Sequence, residues 1–311
     1  MPADPSNDLL LLTCASGKQA TALLPLLSQW KRLRLAVKSS SSKERLQQQY
    51  PHAEVIQTDL YSPTNTAALM GGVNVVIHIG PSYHPHETEI GYMMIDAAVQ
   101  EYGSGKGGLN HFILSSVLNT QFRKMMNHDC KRYIEEYIME SGLPYTILQP
   151  STFMDNTPLP MLMSQEQPVF RSAWSTDVKF SWVALRDLAA VMHTMLIERE
   201  KHFYAQYPLV STHSTLSFGE AMGIISKKIG KEIKVEVAEF REGVDNTLVR
   251  VYGTSEGIDQ RSRDAAQRMI LFYDNRGLIG NSNVLEWVIG RKATQFDEWV
   301  DGKVGEAGGR K

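Results

Sequence analysis

Short apolar runs alternate with helical patterns throughout the first half of the chain, and this alternation is the strongest constraint on the fold. The apolar runs have the length of strands and lie at 9–13, 33–37, 53–60, 73–80, 111–116 and 144–150. Helical patterns follow them at 19–29, 41–50, 64–70, 87–102 and 130–141. Strands without a polar face, each followed by a crossover helix, are typical of a parallel sheet that is covered on both faces. The sequence therefore predicts an α/β fold with a doubly wound parallel sheet.

The pattern changes after Pro150, where the segments become shorter and mixed. Helices are predicted at 182–199 (beginning near Asp187), at 218–229 and at 264–272, and a strand is predicted at 232–237. We therefore divide the chain into a first domain, 1–150, and a second part, 151–311. The second part is predicted to be a smaller C-terminal α+β lobe that folds against the ends of the sheet strands and does not fold independently.

The composition excludes several classes of partner. The 311 residues include 32 basic and 34 acidic side chains, so bulk charge offers no attraction for nucleic acid or for an anionic membrane. The first residues lack the basic and apolar regions of a signal peptide, and no apolar run approaches the ~18–20 residues of a membrane span. Two cysteines, Cys14 and Cys130, are too few and too distant for a disulfide framework or a zinc site. We expect a soluble, cytoplasmic protein.

The first predicted strand runs into the turn "TCASGKQA" (13–20). A Rossmann turn needs glycine for tight turning, for the close approach of pyrophosphate and for packing of the helix on the strand. Gly17 keeps the central glycine, while Cys14 and Ala20 replace the outer two with small residues. Backbone N–H groups at the start of the next helix can still receive phosphate. The residues predicted to bind a dinucleotide here are Thr13, Ser16, Gly17, Lys18 and Gln19; the alternative is a compact strand–turn–helix without a ligand.

The end of the second predicted strand carries a base. An acidic residue at this position binds the ribose hydroxyl of NAD(H), whereas a basic one suits the 2′-phosphate of NADP(H). The stretch here is "AVKSSSS" (36–42), with Lys38, several hydroxyls and no carboxylate before Glu44. If a dinucleotide binds, the sequence favours NADP(H), with Lys38 as a cofactor-binding residue.

The loop after the fourth predicted strand is dense in groups that move protons near neutral pH. The segment "PSYHPHE" (81–87) contains Tyr83, His84, His86 and Glu87 in a span of five residues. Because ligands bind beyond the carboxyl ends of the strands in such folds, His84 and His86 are candidate acid–base catalysts and Tyr83 a candidate substrate contact. Alternatively, the histidines cap the loop through hydrogen bonds, and Glu87 complements the dipole of the next helix. The histidine pair has no third ligand nearby, so no metal site is predicted.

Several stretches together resemble the NmrA-like family, the atypical short-chain dehydrogenases/reductases that include isoflavone-reductase-like enzymes. They are, in chain order, "TCASGKQA" (13–20), "AEVIQTDL" (53–60), "CKRYIEEYIMESGLPYTILQPSTFMDN" (130–156), "FSWVALRDLAAVM" (180–192) and "GLIGNSNVLEWVIGRKATQFDEWV" (277–300). The last stretch is similar to fungal members, which are often found in secondary metabolism. The resemblance implies an NADP(H)-binding Rossmann domain in 1–150 and a substrate-binding lobe in 151–311. The family holds both reductases and redox-sensing regulators that bind the cofactor without turning it over.

The resemblance also implies catalytic roles. Ser115, followed by Ser116, ends the fifth strand, where the superfamily places the serine that polarises a substrate carbonyl. Lys131 matches the lysine that contacts the nicotinamide ribose and serves proton transfer. The superfamily's tyrosine is replaced by Asn127, so His128 is a candidate for the missing proton donor.

Four further positions are assigned to ligands. Asp59, near the end of the third predicted strand, and Gly80, at the end of the fourth, are expected to contact the cofactor. Phe153 and Asn156, in the segment that follows the sixth strand, are expected to line the substrate side.

These assignments favour an NADP(H)-dependent oxidoreductase acting on a small aromatic or polyketide-type metabolite in secondary metabolism. Two alternatives stay open. One is a non-redox lyase, isomerase or cyclase that uses His84 and His86 for acid–base catalysis. The other is a non-catalytic NADP(H)-binding regulator, for which an oligomer or a regulatory protein partner remains possible.

Overall fold

The computed structural model of the chain describes residues 3–103 and 108–308. The strands are β1 (Leu9–Leu12), β2 (Arg32–Val37), β3 (Glu54–Gln57), β4 (Val75–Ile79), β5 (His111–Ser115), β6 (Tyr145–Pro150), β7 (Thr152–Phe153), β8 (Val169–Ser172), β9 (Lys179–Phe180), β10 (Trp182–Val183), β11 (Ala205–Leu209), β12 (Leu216–Ser217) and β13 (Lys234–Val237). The helices are α1 (Lys18–Leu23), α2 (Ser40–Gln49), α3 (Pro63–Met70), α4 (Glu87–Gly103), α5 (Met126–Glu140), α6 (Leu159–Ser164), α7 (Leu185–Glu198), α8 (Phe218–Ile229), α9 (Phe240–Tyr252), α10 (Gln260–Tyr273), α11 (Asn283–Ile289) and α12 (Phe296–Gly308).

Seven strands form the central sheet in the order β11-β6-β5-β4-β1-β2-β3. Strands β1 to β6 pair in parallel, and the chain reverses its direction of winding between β1 and β4. This is the doubly wound Rossmann-type arrangement that the apolar runs predict, with one more strand at the β6 edge. In such sheets the crevice at the reversal point, at the carboxyl ends of the strands, receives the ligand.

Helix α1 is short because Pro25 follows it. The α-helix ends at Leu23, and the chain continues as a 3₁₀ turn over Leu24–Leu27 with the proline in its first turn. A proline ring fits the first turn of a helix but cannot extend an α-helix from within. The α-helix is therefore shorter than the helical pattern at 19–29 predicts.

The core on one face of the sheet joins the strands to α4 and α5. Leu11, Val76 and Phe112 are buried in a single cluster with residues of α4 and α5 such as Ile134. Gly91 permits the close approach of the two helices, since a β-carbon there would lie 2.6 Å from Ile134. This packing fixes α5, and with it the positions of the side chains near the ends of β4 and β5.

The chain divides into two compact units. The first contains the described residues up to Gln121 together with Cys130–Gln149 and Leu188–Tyr207. It includes the whole central sheet except the last residues of β6 and β11. The second contains Phe122–Asp129, Pro150–Asp187 and the described residues from Pro208 onward.

The second unit combines α6 and helices α8 to α12 with three strand pairs, β7 with β10, β9 with β12 and β8 with β13. Helix α7 begins at Leu185, close to the predicted start near Asp187. Within residues 3–103 and 108–308, no helix reaches the combined length and hydropathy that crossing a membrane requires.

Candidate functional site

The turn after β1 is built around a residue in an unusual conformation. Cys14 has φ +48°, in the left-handed region that glycine adopts without strain. The N–H of Gly17 donates to the carbonyl of Cys14 at 2.9 Å and closes the turn, and the N–H of Ala15 donates to Ala36 of β2 at 3.0 Å. A β-carbon on Gly17 would lie 3.2 Å from that same Cys14 carbonyl. Cys14 thus keeps the backbone of an outer glycine of a Rossmann turn while carrying a side chain.

The side chain of Thr13 belongs to the sheet. Its hydroxyl donates to the carbonyl of Ile79 at 3.0 Å, accepts from the Ile79 N–H at 2.9 Å and lies 3.0 Å from Nδ1 of His78. Burial, together with the charge of Lys131, lowers the pKa of His78 to about 3, so this imidazole is neutral. Any cofactor contact of Thr13 would therefore use its backbone.

Gln19 links α1 to the end of β5. The hydroxyl of Ser115 donates to Oε1 of Gln19 at 2.7 Å, and Ser115 is buried. The structure thus brings together a residue predicted to bind the cofactor and the serine predicted to polarise a substrate carbonyl. In this arrangement the hydroxyl proton of Ser115 is already committed to Gln19.

Lys131 forms a buried ion pair with Glu87. The Lys131 ammonium donates to Oε1 of Glu87, and the two side chains are only 14% and 2% exposed. The backbone of Gly80 lies close to the pair, since a β-carbon there would lie 3.2 Å from Glu87 Oε1 and 3.7 Å from Lys131 Nζ. Burial acts to lower the pKa of Lys131, but Glu87, Cys130 and Cys14 outweigh it and hold the pKa above its usual range.

Two thiols flank this ion pair. Burial and the Glu87 carboxylate raise the pKa of Cys14 to about 11, against the opposing charges of Lys131 and Lys38. The same two causes raise the pKa of Cys130, which precedes Lys131 on α5. Both cysteines are therefore protonated thiols at neutral pH.

Glu135 is a buried residue of the site that the sequence reasoning missed. It lies one turn after Lys131 on α5, and its carboxylate accepts from Nε2 of Gln149 at 2.9 and 3.1 Å and from the Thr120 hydroxyl at 2.9 Å. Burial raises the pKa of Glu135, against the hydrogen bonds from Gln149 and Thr120. The spacing of four residues from Lys131 is a helical signal that could have drawn attention to it.

An open cleft of about 590 Å³ lies at the carboxyl ends of β2 and β3. Its lining residues are Lys38, Gln57, Thr58, Asp59, Tyr61, Asn65, His84, Pro85 and His86. A smaller cleft of about 70 Å³ is lined by Cys14 as well as by Lys38, Asp59 and His84. Neither Lys131 nor Ser115 is among the lining residues of the two clefts. The structure therefore brings the two loop histidines together with Lys38 and Asp59.

Hydrogen bonds and ring stacking order this histidine loop. The N–H of His86 donates to Nδ1 of His84 at 3.2 Å, and the His86 ring stacks on Tyr61 with 4.1 Å between ring centroids and 6° between planes. Tyr83 adopts a left-handed backbone with φ +63°. Burial lowers the pKa of His84, and the charges of Lys38 and His86 act in the same direction.

Ser16 and Lys18 lie in the first unit, in the turn and at the start of α1, whereas His128, Phe153 and Asn156 lie in the second unit. His128 is buried in the first turn of α5, and its Nε2 lies 3.4 Å from the hydroxyl of Tyr273. Phe153 is in β7, and Asn156 ends a 3₁₀ turn at Met154–Asn156. Among the residues that the structure describes, no group of three or more His, Cys, Asp or Glu side chains is arranged to hold a metal ion.

Comparison with known proteins gives consistent relatives. The model of the NmrA-like family matches residues 6–302. An NAD(P)H azoreductase from Xenophilus azovorans is 24% identical over 258 residues, which cover 80% of this chain and 83% of that protein. An NADPH-dependent quinone oxidoreductase from Escherichia coli, solved with NADPH, shares the fold with a TM-score of 0.73 at 19% identity, over 95% of this chain and 100% of that one. NmrA, a negative transcriptional regulator solved with NADP, gives a TM-score of 0.71 at 17% identity over 98% of each chain. Because the family match spans nearly the whole sequence, this chain belongs to the NmrA-like family.

Proposed function

We propose that this chain is an NADP(H)-dependent oxidoreductase that passes a hydride to a small delocalised acceptor such as a quinone or an azo compound. The observation that carries the proposal is the turn after β1, where Cys14 holds the left-handed backbone and Gly17 closes the turn without a side chain. Lys38 supports it, because a base at the end of β2 suits a 2′-phosphate. The azoreductase and the quinone oxidoreductase are named for nicotinamide cofactors and for acceptors of this class.

The residues of the first unit fit this cofactor. The small residues of the turn leave room for a pyrophosphate at the reversal point of the sheet, between β1 and β4. Lys131, which the family resemblance assigns to the nicotinamide ribose, is held next to Gly80 at the end of β4. When bound, the reduced cofactor supplies the hydride. The chain's own residues orient it and exclude water.

The protonation states around Lys131 favour an acceptor that needs no proton from the protein. A ketone that receives a hydride becomes an alkoxide and needs a general acid with a pKa near the working pH. Asn127 stands where the superfamily's tyrosine would supply that proton. Lys131, Cys14 and Cys130 all hold their protons, because their pKa values are raised. A quinone that receives a hydride becomes a hydroquinone anion, which delocalises its charge and takes one proton from water.

The same protonation states also fit a second candidate function, a cofactor-binding regulator without turnover. NmrA is named as a negative transcriptional regulator and was solved in complex with NADP. The non-redox alternative is less well supported, because it relies on acid–base work by a histidine loop in which Nδ1 of His84 already accepts a hydrogen bond. A quinone derived from a polyketide would satisfy both the chemical argument and the expected place in secondary metabolism.

The experiment measures binding and turnover separately. NADPH and NADH are titrated into the purified protein, and the fluorescence of the reduced nicotinamide reports their binding. Oxidation of bound NADPH is then measured with a simple quinone, an azo dye and an aromatic ketone. Gly17→Val is the control, because its side chain obstructs the turn while the rest of the fold should still unfold cooperatively.

We expect tighter binding of NADPH than of NADH, reduction of the quinone or azo dye, and no reduction of the ketone. Absence of dinucleotide binding would refute the proposal outright. A faster reaction with the ketone would refute the class of acceptor. Binding without oxidation by any acceptor would favour the regulator.

A further inference from the structure

We propose that Glu87 is a positioning residue that holds the Lys131 ammonium in a closed, buried ion pair and thereby restricts the acceptor to molecules whose reduced form needs no proton from the protein. Removing the charge of Glu87 should therefore open the site to ketones. This inference rests on the proposed function, because it takes the hydride acceptor to lie beside Lys131.

The geometry of the ion pair is the first argument. The Lys131 ammonium donates to Oε1 of Glu87, and the two side chains are almost fully buried, next to the backbone of Gly80. The neighbouring residues join the same two helices, since the hydroxyl of Thr88 on α4 donates to the carbonyl of Cys130 on α5 at 3.3 Å. Opposite charges held in contact largely cancel at a distance. Lys131 therefore offers a developing oxyanion little net positive charge.

The groups around Lys131 are the second argument, because they make Glu87 the residue that decides its protonation. The titratable groups that interact electrostatically with Lys131 are Glu87 on α4, Cys130 and Glu135 on α5, Cys14 in the turn after β1, and His78 on β4. Burial acts to lower the pKa of Lys131, and the charge of Glu87 is the largest of the effects that raise it. The imidazole of His78 is neutral, and both thiols are protonated. Without Glu87, burial should favour the neutral amine of Lys131.

The availability of this proton decides which acceptors can react. A hydride that adds to the carbonyl carbon of a ketone moves the C=O electron pair onto oxygen, and the resulting alkoxide must take a proton. Transfer of that proton from Lys131 would leave Glu87 as a buried carboxylate without its cation, which is strongly unfavourable. In Glu87→Gln, an Nζ proton can pass to the alkoxide, and the neutral amine then takes a proton from water. A quinone needs neither step, because its hydroquinone anion takes its proton from water.

The protonation of Lys131 can be measured in the cofactor-free protein. Isotopically labelled lysine gives an NMR signal for Lys131 that is assigned by its loss in Lys131→Met and is then followed against pH. We expect its titration midpoint to lie above that of an ordinary lysine in wild type and below it in Glu87→Gln. Glu89→Gln is the matched control and should leave the midpoint unchanged, because Glu89 lies in the same first turn of α4 but is 40% exposed beside His86.

The acceptor range is measured by single-turnover oxidation of bound NADPH, with an aromatic ketone and with a simple quinone. Glu87→Gln should raise the ratio of the ketone rate to the quinone rate at least about tenfold, because a general acid typically contributes about 10²–10⁴-fold. Where wild type shows no ketone turnover, its detection limit sets the ratio. The ketone rate of Glu87→Gln should fall as the pH rises through the new midpoint of Lys131, which a loss of stability alone would not produce. Adding Lys131→Met should return the ratio to the wild-type value.

Two results would overturn the inference. One is a Lys131 midpoint in Glu87→Gln that stays at or above that of wild type, and the other is an unchanged rate ratio in a variant whose midpoint is lowered. If Glu87→Gln does not fold, Glu87→Asp replaces it, because a carboxylate that is one methylene shorter should weaken the pair and shift both readouts in the same directions. If wild type binds no NADPH, the proposed function falls and the restriction on acceptors falls with it, whatever the NMR midpoints are.

Discussion

Replacing Cys14 tests whether the turn after β1 is strained. The backbone of Cys14 lies at φ +48°, and a left-handed conformation costs a residue with a β-carbon about 1–2 kcal/mol. Glycine removes this strain but loses about 0.5–1 kcal/mol relative to alanine, because its unfolded chain is freer. The difference should leave Cys14→Gly more stable than Cys14→Ala by about 0.5–1 kcal/mol. Both variants lack the sulfur, so their comparison isolates the β-carbon.

The free energies of unfolding come from urea denaturation followed by circular dichroism, and equal slopes are required for the comparison. Ala20→Gly is the matched control within the same turn and helix. Ala20 is buried in α1, where glycine should instead destabilise by about 1 kcal/mol. The two outer positions of one turn should therefore respond to glycine with opposite signs. Equal stability of Cys14→Gly and Cys14→Ala would refute the argument that Cys14 occupies the place of a lost glycine.

Two further predictions concern buried charge. Glu87→Ala should lower the free energy of unfolding by about 3 kcal/mol, because it leaves the Lys131 ammonium buried without its partner. Adding Lys131→Met should recover part of that loss in urea denaturation, and additive losses would contradict the ion-pair argument. Burial lowers the pKa values of His78 and His111 to about 3. Because the unfolded histidines bind protons below about pH 6.5 and the folded ones do not, stability should fall on acidification from pH 6.5 towards 3, by up to about 1.4 kcal/mol per pH unit for each histidine. His78→Leu should reduce that slope by about half, and an unchanged slope would count against the assignment.

The doubly wound parallel sheet was predictable because strands such as Leu9–Leu12 and Val75–Ile79 are apolar throughout, as strands buried on both faces are. Strand β11 was missed because Pro208 lies within it, and proline normally argues against a strand. Its place at the edge of the sheet is where a proline is tolerated. Helix α5 begins at Met126 instead of 130, because its first turn is polar and shows no apolar period. Helix α12 was missed because its glycines weaken the helical signal.

The site was predictable only in part. Lys131 was predicted through the family resemblance and Gly80 from its place at the end of the fourth strand. Glu87 does lie in the first turn of its helix, as the alternative interpretation held. The pairing of Glu87 with Lys131 joins residues 44 positions apart and depends on how α4 packs on α5. The structure places His84 and His86 beside Lys38 and Asp59, and their role in proton transfer stays a prediction.

The raised pKa values of Cys14 and Cys130 have a consequence for the chemistry that the site tolerates. Quinones are electrophiles that thiolates attack, and the thiolate is the reactive form of cysteine. With a pKa of about 11, only about one Cys14 in ten thousand is a thiolate at pH 7, against a few per cent for an ordinary cysteine. Burial of these two thiols beside Glu87 would thus protect the protein from arylation by the quinones proposed as its acceptors. Cys14, which replaces a glycine in the turn after β1, is therefore a poor nucleophile at neutral pH.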